Sequence, residues 1–198
     1  MSRPMINVLR LPRVSPMLML HLEEILLRYD PQNRNFLLLN RPLAQHRAVI
    51  LGISGKPEIL VNQETTTSDK IPLIKRYTGG GTVFVNETIR FAGFVMNKDD
   101  LPHVKPFPHD IMKWTELIYN GTINRMCDKT EHHFNNQERN IDFSLRENDY
   151  VFGDLKFGGN AQSIIRQRWV HVSLIIATQG VYWSASISMS HAAPRMLP

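Results

Sequence analysis

The chain places a basic pair directly before three consecutive glycines, in the stretch Lys75-Arg76-Tyr77-Thr78-Gly79-Gly80-Gly81-Thr82-Val83-Phe84. Because glycine has no Cβ, a ligand can approach the backbone closely, and consecutive free N–H groups can hold an anion. The neighbouring arginine can bind a phosphate or a carboxylate through a forked pair of hydrogen bonds. The spacing matches neither a Walker A loop nor a dinucleotide-binding fingerprint. This stretch predicts an anion-binding loop of another kind, and the alternative interpretation is a flexible turn.

A second glycine-containing stretch lies some seventy-five residues further on, at Asp154-Leu155-Lys156-Phe157-Gly158-Gly159-Asn160-Ala161-Gln162. We predict that Lys156 lies in a strand just before a glycine turn. A lysine in that position can reach across a ligand cleft and act as a point charge on a phosphate or an activated carboxyl group. The alternative is a solvated lysine beside an ordinary Gly-Gly-Asn hairpin turn.

Hydrophobic periodicity before the first glycine stretch predicts one helix and several core strands. The helix is expected from about Met17 to Tyr29, with Ser15 as N-cap and Pro16 at its first position. Its predicted buried stripe is Leu18, Leu22, Ile25, Leu26 and Tyr29. Short apolar runs bounded by turn residues predict strands over 6–11, 36–39, 48–53 and 71–74.

After the glycines, residues 82–85 and 89–96 flank Asn86-Glu87 and predict a hairpin. A second helix is expected over 107–126, with Ile111, Trp114, Ile118 and Thr122 on its buried face. Further strands are predicted over 142–145, 150–157 and 169–176. The sequence thus predicts an α/β (α+β) domain in which helices flank a mixed sheet.

Composition agrees with one soluble domain, since the chain has 198 residues, of which 42% are hydrophobic and 21% charged. The single cysteine excludes an internal disulfide framework and fits a reducing compartment. No apolar run approaches the roughly 20 residues that span a bilayer. A net charge of +5 favours anionic partners. Arg3, Arg10 and Arg13 give the N-terminus the charge bias of an organelle transit peptide, although the predicted strand over 6–11 indicates mature fold.

Taken together, the two glycine stretches resemble the paired signature of lipoate-protein ligase A and its octanoyltransferase relatives, in the biotin/lipoate protein ligase family. The resemblance rests on Arg-x-x-Gly-Gly-Gly-x-Val-Phe followed by Lys-x-Gly-Gly-Asn-Ala-Gln, and it extends over about residues 6–176. It implies a class II synthetase-like catalytic domain over 1–176, followed by an atypical tail over 177–198.

The resemblance also implies an activity, in which ATP with Mg²⁺ and lipoate form lipoyl-AMP and the lipoyl group passes to a carrier lysine. ATP and lipoate would be substrates, with no tightly bound cofactor. Lys156 would be catalytic, stabilising negative charge on the phosphate and the acyl carbonyl. The residues expected to bind substrate and adenylate are Arg76, Gly79, Gly80, Gly81, Thr82, Val83, Phe84, Gly158, Gly159, Asn160 and Ala161.

The chain departs from the family pattern in three places. Val85-Asn86 stands where the family has His-Asp or His-Asn, and Val170-His171-Val172-Ser173 keeps part of a His-His-Gly-Thr strand. The tail over 177–198 contains no acidic residue and is rich in Ser, Ala and Met. We therefore expect a C-terminally shortened form of the catalytic domain.

Two alternatives to the ligase remain open at the level of sequence. One is an octanoyl- or lipoyltransferase that takes the acyl group from a carrier without ATP, for which Cys127 is a candidate nucleophile as well as a packing residue. The other is a truncated, non-catalytic form. His132-His133 lacks a spaced third ligand, so no metal site is predicted.

For the ligase, the expected partners are lipoyl carrier domains of 2-oxoacid dehydrogenase complexes or the glycine-cleavage H protein. We expect no nucleic-acid or membrane partner, a monomer, and a cytoplasmic or mitochondrial location.

Overall fold

The computed structural model describes residues 5–130 and 143–176, which divide into two units. The first unit contains residues 5–106 and 160–176, and the second contains 107–130 and 143–159. The α-helices are α1 Pro16–Tyr29, α2 Pro57–Leu60, α3 Gln63–Ser68 and α4 Pro108–Thr130. The strands are β1 Ile6–Arg10, β2 Asn35–Asn40, β3 Ala48–Leu51, β4 Leu73–Lys75, β5 Val83–Val85, β6 Ile89–Asn97, β7 Phe143–Arg146, β8 Asp149–Phe152, β9 Leu155–Ile164 and β10 Arg168–Ile176.

The larger sheet of the first unit has the order β1-β2-β6-β10, continued by the second half of β9. β1 runs parallel to β2, whereas β2 and β10 each run antiparallel to β6. Alternate residues on these strands are buried on the face that α1 covers, as expected for a sheet packed against a helix. The core there consists of Met19, Leu20 and Leu27 of α1 against Phe36, Leu38, Phe91, Val95, Val170 and Val172.

Helix α1 begins where the sequence predicts it. The side chain of Ser15 accepts a hydrogen bond from the Leu18 N–H at 3.3 Å, and Pro16 occupies the first turn. This satisfies one of the N–H groups that a helix start leaves unpaired.

The predicted buried stripe of α1 is confirmed in part: Leu22 and Leu26 are partly buried against the core, but the other three members are not. Leu18, Ile25 and Tyr29 are 46%, 51% and 71% exposed, and the helix instead buries Met19, Leu20, Glu23 and Leu27. α1 is apolar on most of its surface, so its periodicity does not select one face. The buried stripe also contains an acid, Glu23, which a hydrophobic pattern counts as a surface residue.

A smaller sheet of the first unit has the order β4-β3-β5. β3 pairs in parallel with β4 and antiparallel with β5. The predicted hairpin between β5 and β6 is therefore wrong, because the two strands belong to different sheets. Asn86 Oδ1 accepts hydrogen bonds from the Thr88 N–H at 3.0 Å and the Thr88 hydroxyl at 2.7 Å. This side-chain turn redirects the chain from one sheet to the other.

In the second unit, α4 packs against an antiparallel set formed by β7, β8 and the first half of β9. The buried face of α4 contains Ile111, Met112, Thr115 and Tyr119, whereas the predicted Ile118 is 39% exposed. The Thr115 hydroxyl lies 2.8 Å from the Tyr150 hydroxyl. Aromatic contacts complete this core, with Tyr119, Phe143, Tyr150, Phe152 and Phe157 as members.

Two local predictions for this region are also wrong. The expected single strand over 150–157 is two strands, β8 and β9, separated at Gly153-Asp154, where Gly153 has a φ of +56°. A turn was expected at Gly158-Gly159-Asn160, but these three residues lie within strand β9. A left-handed φ at Gly153 makes the tight turn there, so the later glycines are not needed for one. The predicted fold class, a mixed α/β arrangement of sheets flanked by helices, is confirmed.

Candidate functional site

The glycine-rich segment, residues 77–82, connects β4 to β5 in the first unit; we call it the glycine loop. Arg76, only 6% exposed, lies beneath it. Its Nη2 donates hydrogen bonds to the carbonyl oxygens of Gly79 and Gly81, both at 2.8 Å, and its Nε donates to Gly79 at 3.2 Å. Nη1 donates to the Ile50 carbonyl at 3.5 Å. The guanidinium therefore ties both ends of the triple glycine to the strand below.

Because burial disfavours the charged form, the pKa of Arg76 lies below its ordinary value. An arginine nevertheless stays charged in a protein. Its bonds to the carbonyls of the loop are therefore charge-assisted, which makes them stronger than neutral ones. These contacts identify Arg76 as a brace for the loop, and its predicted direct contact with a phosphate remains a prediction.

The glycine loop also approaches two other backbone segments closely. A Cβ added at Gly52 would lie 2.1 Å from the Gly80 carbonyl oxygen, so only glycine fits at position 52. Gly80 has a φ of +97°, and a Cβ there would lie 2.9 Å from Arg76 Nη2 and 3.8 Å from the Asn160 carbonyl oxygen. Gly80 of the first sequence stretch thus lies close to Asn160 of the second, and both residues belong to the first unit.

The outer side of the glycine loop is open. A Cβ added at Gly79 or Gly81 would meet no atom within 4 Å, and the glycines themselves are exposed. On the inner side, the hydroxyls of Tyr77, Thr78 and Thr82 are buried without a hydrogen-bond partner. Buried polar groups are usually paired, so these inner hydroxyls are exceptions, whereas the open outer side is the face on which a ligand could bind.

A cavity of about 250 Å³ lies next to this loop. Its apolar part comes from α1 and β4, and its rim carries charged side chains. The residues that line it are Met17, Leu20, His21, Glu24, Ile74, Lys75, Arg76 and Tyr77. Half of these residues are charged or histidine, so the cavity differs from the mainly apolar pockets that usually bind small molecules.

Two buried polar residues that were not predicted as site residues are Glu23 of α1 and His171 of β10. Glu23 is fully buried without a partner, and its Oε1 would lie 2.6 Å from a Cβ added at Gly93. Burial raises the pKa of the Glu23 carboxyl to about 8. Tyr77 also has a raised pKa, first through burial and then through the charges of Glu23 and Glu24.

On β10, His171 is fully buried, with Nδ1 2.9 Å from Gln162 Nε2 and Nε2 3.1 Å from Ser173 Oγ. Burial lowers its pKa to about 3, which keeps the imidazole neutral. The sequence offered one signal for each group. Glu23 is an acid within an apolar helix, and His171 and Ser173 are polar residues that alternate with apolar ones on a core strand. Neither signal by itself distinguishes function from packing.

Lys156 belongs to β9 in the second unit, together with Gly158 and Gly159. Its ammonium forms an ion pair with Asp149 of β8, with Nζ 2.6 Å from Oδ1. The two side chains are 28% and 21% exposed, so the pair is accessible to solvent. A Cβ added at Gly159 would lie 3.8 Å from Lys156 Cε, which is an ordinary van der Waals contact, so the lysine side chain lies beside this glycine without requiring it.

The other predicted site residues lie in the two different sheets of the first unit. Thr82 precedes β5, Val83 and Phe84 belong to β5, and Ala161 is buried in β9. The candidates His132 and His133 lie outside the described residues, and the Cys127 thiol lies outside the described side chains. Within 5–130 and 143–176, no three His, Cys, Asp or Glu side chains gather as a possible metal site. No helix in these ranges is long and apolar enough to cross a membrane.

Mixed sheets flanked by helices, as found here, are the fold of lipoate-protein ligase catalytic domains. The family model for the lipoyl protein ligase A/B catalytic domain matches residues 15–188. The chain therefore belongs to the lipoyl protein ligase A/B catalytic domain family, as the paired glycine stretches predicted.

Among curated proteins, the chain is 32% identical over 152 residues to a Plasmodium falciparum protein named inactive lipoate–protein ligase 2. The match covers 67% of this chain and 39% of the relative, so the chain spans about two fifths of that protein's length.

Solved structures share the fold at lower identity. The P. falciparum LipL1 structure in complex with lipoate gives a TM-score of 0.65 at 22% identity, covering 87% of this chain and 48% of that one. Lipoate-protein ligase A bound with ATP gives 0.63 at 18% identity, covering 91% and 69%. The bi-partite lipoate protein ligase of Thermoplasma acidophilum, studied with its E2 lipoyl domain, gives 0.66 at 19% identity, covering 91% and 64%.

Proposed function

We propose that this chain activates lipoate with ATP as lipoyl-AMP and transfers the lipoyl group to a lysine of a lipoyl carrier domain. Membership of the lipoyl ligase family supports the reaction class. The observation that carries the proposal is the glycine loop, whose carbonyl oxygens at Gly79 and Gly81 are bound to Arg76 while its outer side is open. With its carbonyls held below, the loop can offer backbone N–H groups to an anion above.

In the first step, a carboxylate oxygen of lipoate attacks the α-phosphorus of ATP, and pyrophosphate leaves. The loop's task is to hold the phosphate while negative charge accumulates on its oxygens. Donors fixed before the reaction stabilise such charge without having to reorganise. In the second step, the deprotonated carrier lysine attacks the acyl carbonyl, an amide forms, and AMP leaves.

We assign Lys156 the task of supplying a compact positive charge to the phosphate and the carbonyl in both steps. Its present partner is Asp149, so an anionic substrate would compete with that carboxylate for the ammonium. Mg²⁺ would enter with ATP, since this ion is commonly bound through substrate phosphates and only one or two carboxylates. This arrangement needs no dedicated protein cage.

The acceptor we propose is a lipoyl domain of a 2-oxoacid dehydrogenase complex or the glycine-cleavage H protein. Support comes from the Thermoplasma acidophilum ligase, which shares the fold and was studied with its E2 lipoyl domain. We further propose that the chain acts as a monomer in a reducing compartment, either the cytoplasm or the mitochondrion.

A second candidate function is acyl transfer or acyl binding without ATP. The observation that favours it is the name of the curated P. falciparum relative, an inactive lipoate–protein ligase. The ion pair between Lys156 and Asp149 is compatible with this alternative, because it occupies the charge that adenylate chemistry requires.

One experiment separates the two candidates. The chain is mixed with lipoate, Mg²⁺ and α-labelled ATP, and lipoyl-AMP is followed by chromatography; an apo lipoyl domain is then added and its mass measured. The ligase predicts labelled lipoyl-AMP and a lipoylated carrier, whereas transfer without ATP predicts a modified carrier only when an acylated donor is supplied.

Lys156→Ala is the catalytic control in this assay. Removing one preorganised charge-stabilising group typically slows turnover by about 10²–10³-fold. Lys156→Arg should restore little activity, since a planar fork does not replace a compact ammonium. Circular dichroism checks that both variants are folded, and a folded alanine variant with normal rates would remove Lys156 from the mechanism.

A further inference from the structure

Three arginines lie together at one end of the larger sheet of the first unit. β2 ends at Asn40 and β6 begins at Ile89, and Asn40 pairs with Phe91 in the antiparallel ladder. Continuing this register by one residue places Arg41 opposite Arg90. Like charges that face each other across strands are destabilising, so this pairing is not explained by stability.

Arg13 joins this pair through the segment that links β1 to α1. The Asn40 side chain binds Val14 twice, accepting from its N–H at 3.1 Å and donating to its carbonyl at 2.9 Å. The Arg13 N–H donates to the Leu11 carbonyl at 2.9 Å, and Arg13 has a φ of +57°. The segment is thus pinned beside the end of β2, in a backbone conformation that non-glycine residues rarely adopt.

We call Arg13, Arg41 and Arg90 the arginine patch. The pKa of Arg90 is lowered first by burial and then by the charges of Arg41 and Arg13, in agreement with their proximity. Arg13 and Arg41 are exposed, and Arg90 is half-buried. In the described part of the chain, none of the three forms an ion pair.

The acidic residue in the neighbouring turn does not neutralise the patch. Arg90 Nη1 donates to the backbone carbonyl of Glu87 at 2.7 Å and to that of Ile89 at 3.0 Å. These bonds fix the guanidinium and leave its charge uncompensated. Arg13 and Arg41 remain free to pair with carboxylates from outside.

From this geometry we infer that the arginine patch is a docking surface for the acidic face of the protein that carries the acceptor lysine. The inference rests on the proposed function, because that function requires a protein acceptor. Two exposed guanidiniums beside a fixed third suit a cluster of carboxylates, since arginine binds carboxylate in a forked geometry. The arginine patch contains no aromatic side chain. Single-stranded nucleic acid is usually bound by aromatic side chains on which its bases stack, so an acidic protein suits the patch better.

The test measures binding separately from catalysis. The probe is an apo lipoyl domain with a net acidic surface, whose affinity for the chain is measured by calorimetry at low and physiological salt. Arg13→Gln combined with Arg41→Gln should weaken binding roughly fivefold, since exposed charge pairs contribute about 0.5 kcal/mol each. The salt dependence of binding should also become shallower. Adenylate formation should stay unchanged in this variant.

Arg166→Gln is the matched control for the single variants Arg13→Gln and Arg41→Gln, each of which should weaken binding about twofold, or about 0.5 kcal/mol. Arg166 is an exposed arginine in the turn between β9 and β10, next to the end of β6 that is opposite to Arg90. The same loss of one charge there should leave carrier affinity unchanged. If Arg166→Gln weakened carrier binding equally, only the net charge of the chain would matter, and the inference that the arginine patch is the docking surface would be wrong.

A second probe, a labelled single-stranded RNA, distinguishes the other class of anionic partner. If the double variant loses RNA binding and keeps full affinity for the carrier, the inference is wrong. If the chain forms no lipoyl-AMP but the double variant still loses carrier affinity, the proposed activation step fails and the docking surface stands.

Discussion

Lys156 and Asp149 form a direct ion pair across adjacent strands, with Nζ 2.6 Å from Oδ1. β8 supplies the aspartate and β9 the lysine, near an irregularity of the ladder at Tyr150/Val151. Lys156 of the second glycine-containing stretch is therefore held by a carboxylate in this structure. Any phosphate or carboxylate that Lys156 binds must displace Asp149 or share the ammonium with it.

Asp149→Asn should therefore strengthen the binding of an anionic ligand. The amide keeps the size of the side chain and removes the competing charge, so a non-hydrolysable lipoyl-AMP analogue should bind roughly fivefold more tightly, equivalent to about 1 kcal/mol. Calorimetry measures the change. Asp154→Asn is the control, because Asp154 pairs with Arg146 at 2.6 Å and is 85% exposed. Weaker binding in Asp149→Asn alone would mean that Asp149 positions the lysine instead of competing for it.

Arg76→Ala should unfold more easily as well as bind adenylate less well. The arginine donates to Gly79, Gly81 and Ile50 from a site only 6% exposed, and its removal leaves these carbonyls without that partner. Hydrogen bonds from charged groups contribute about 1.5–3 kcal/mol, so we expect a loss of about 3 kcal/mol in the free energy of unfolding. Urea titration measures this loss.

The control for Arg76 is Arg47→Ala, which removes one exposed bond to the Asp69 carbonyl at 2.7 Å. Its stability should change by less than about 1 kcal/mol. If Arg76→Ala keeps normal stability but loses adenylate binding, the arginine contacts the phosphate directly and does not brace the loop.

The sequence predicted those parts of the fold that depend on neighbouring residues. The cap at Ser15 and the end of α1 after Tyr29 are set by local chemistry, and both are confirmed. The predictions failed where a contact between residues that are distant in the sequence determines the structure. Val83–Val85 pairs with β3 instead of the adjacent β6, and no local pattern could reveal that choice.

In the candidate site, too, the features set by local sequence were predictable and those set by distant contacts were not. The glycines were recognisable because only that residue permits a φ of +97° at Gly80, and the pairing of two distant stretches pointed to one family. The close approach of Gly52 to Gly80 and the burial of Glu23 were not predictable from spacing. Both depend on how separate elements pack against each other. The residue type alone does not show whether a glycine or a glutamate lies in a loop, on the surface or in the core.

Two glycine-to-alanine variants should separate the packing of the glycine loop from its ligand face. Gly52→Ala places a Cβ 2.1 Å from the Gly80 carbonyl oxygen, which forces backbone to move. Overpacking of this kind typically costs about 1–3 kcal/mol. Gly79→Ala places its Cβ in open space, so stability should change by no more than about 0.5 kcal/mol. Thermal melts compare the two.

The binding measurement then tests the open face. If a phosphate lies against the loop, Gly79→Ala should lower adenylate affinity about tenfold, or about 1.4 kcal/mol, by adding a methyl group on the ligand side. Unchanged affinity together with unchanged stability would place the ligand elsewhere.

The pH dependence of stability should report the buried Glu23. Burial raises its pKa to about 8 from an ordinary value of 4.5, and it lowers the pKa of His171 to about 3 from 6.5. Above pH 4.5 the unfolded chain releases the Glu23 proton that the folded chain retains. Stability from this group therefore falls as pH rises, until the folded carboxyl ionises near pH 8. His171 acts oppositely below pH 6.5, because the unfolded imidazole takes up a proton that the folded one does not.

Between pH 6.5 and 8 the glutamate contributes most of the change, since the unfolded His171 imidazole is at most half protonated there, and the comparison with Glu23→Gln cancels the His171 contribution. Each pH unit changes the free energy of unfolding by at most about 1.4 kcal/mol per group, so wild-type protein should lose about 1.5 kcal/mol across this window relative to Glu23→Gln. The glutamine keeps the shape of a protonated glutamic acid and cannot ionise. Glu24→Gln is the neighbouring control, because Glu24 pairs with Arg28 at 2.8 Å on the helix surface and should leave the slope as in wild type. Urea midpoints at several pH values give these slopes, and parallel curves for wild type and Glu23→Gln would show that Glu23 ionises normally in the folded chain.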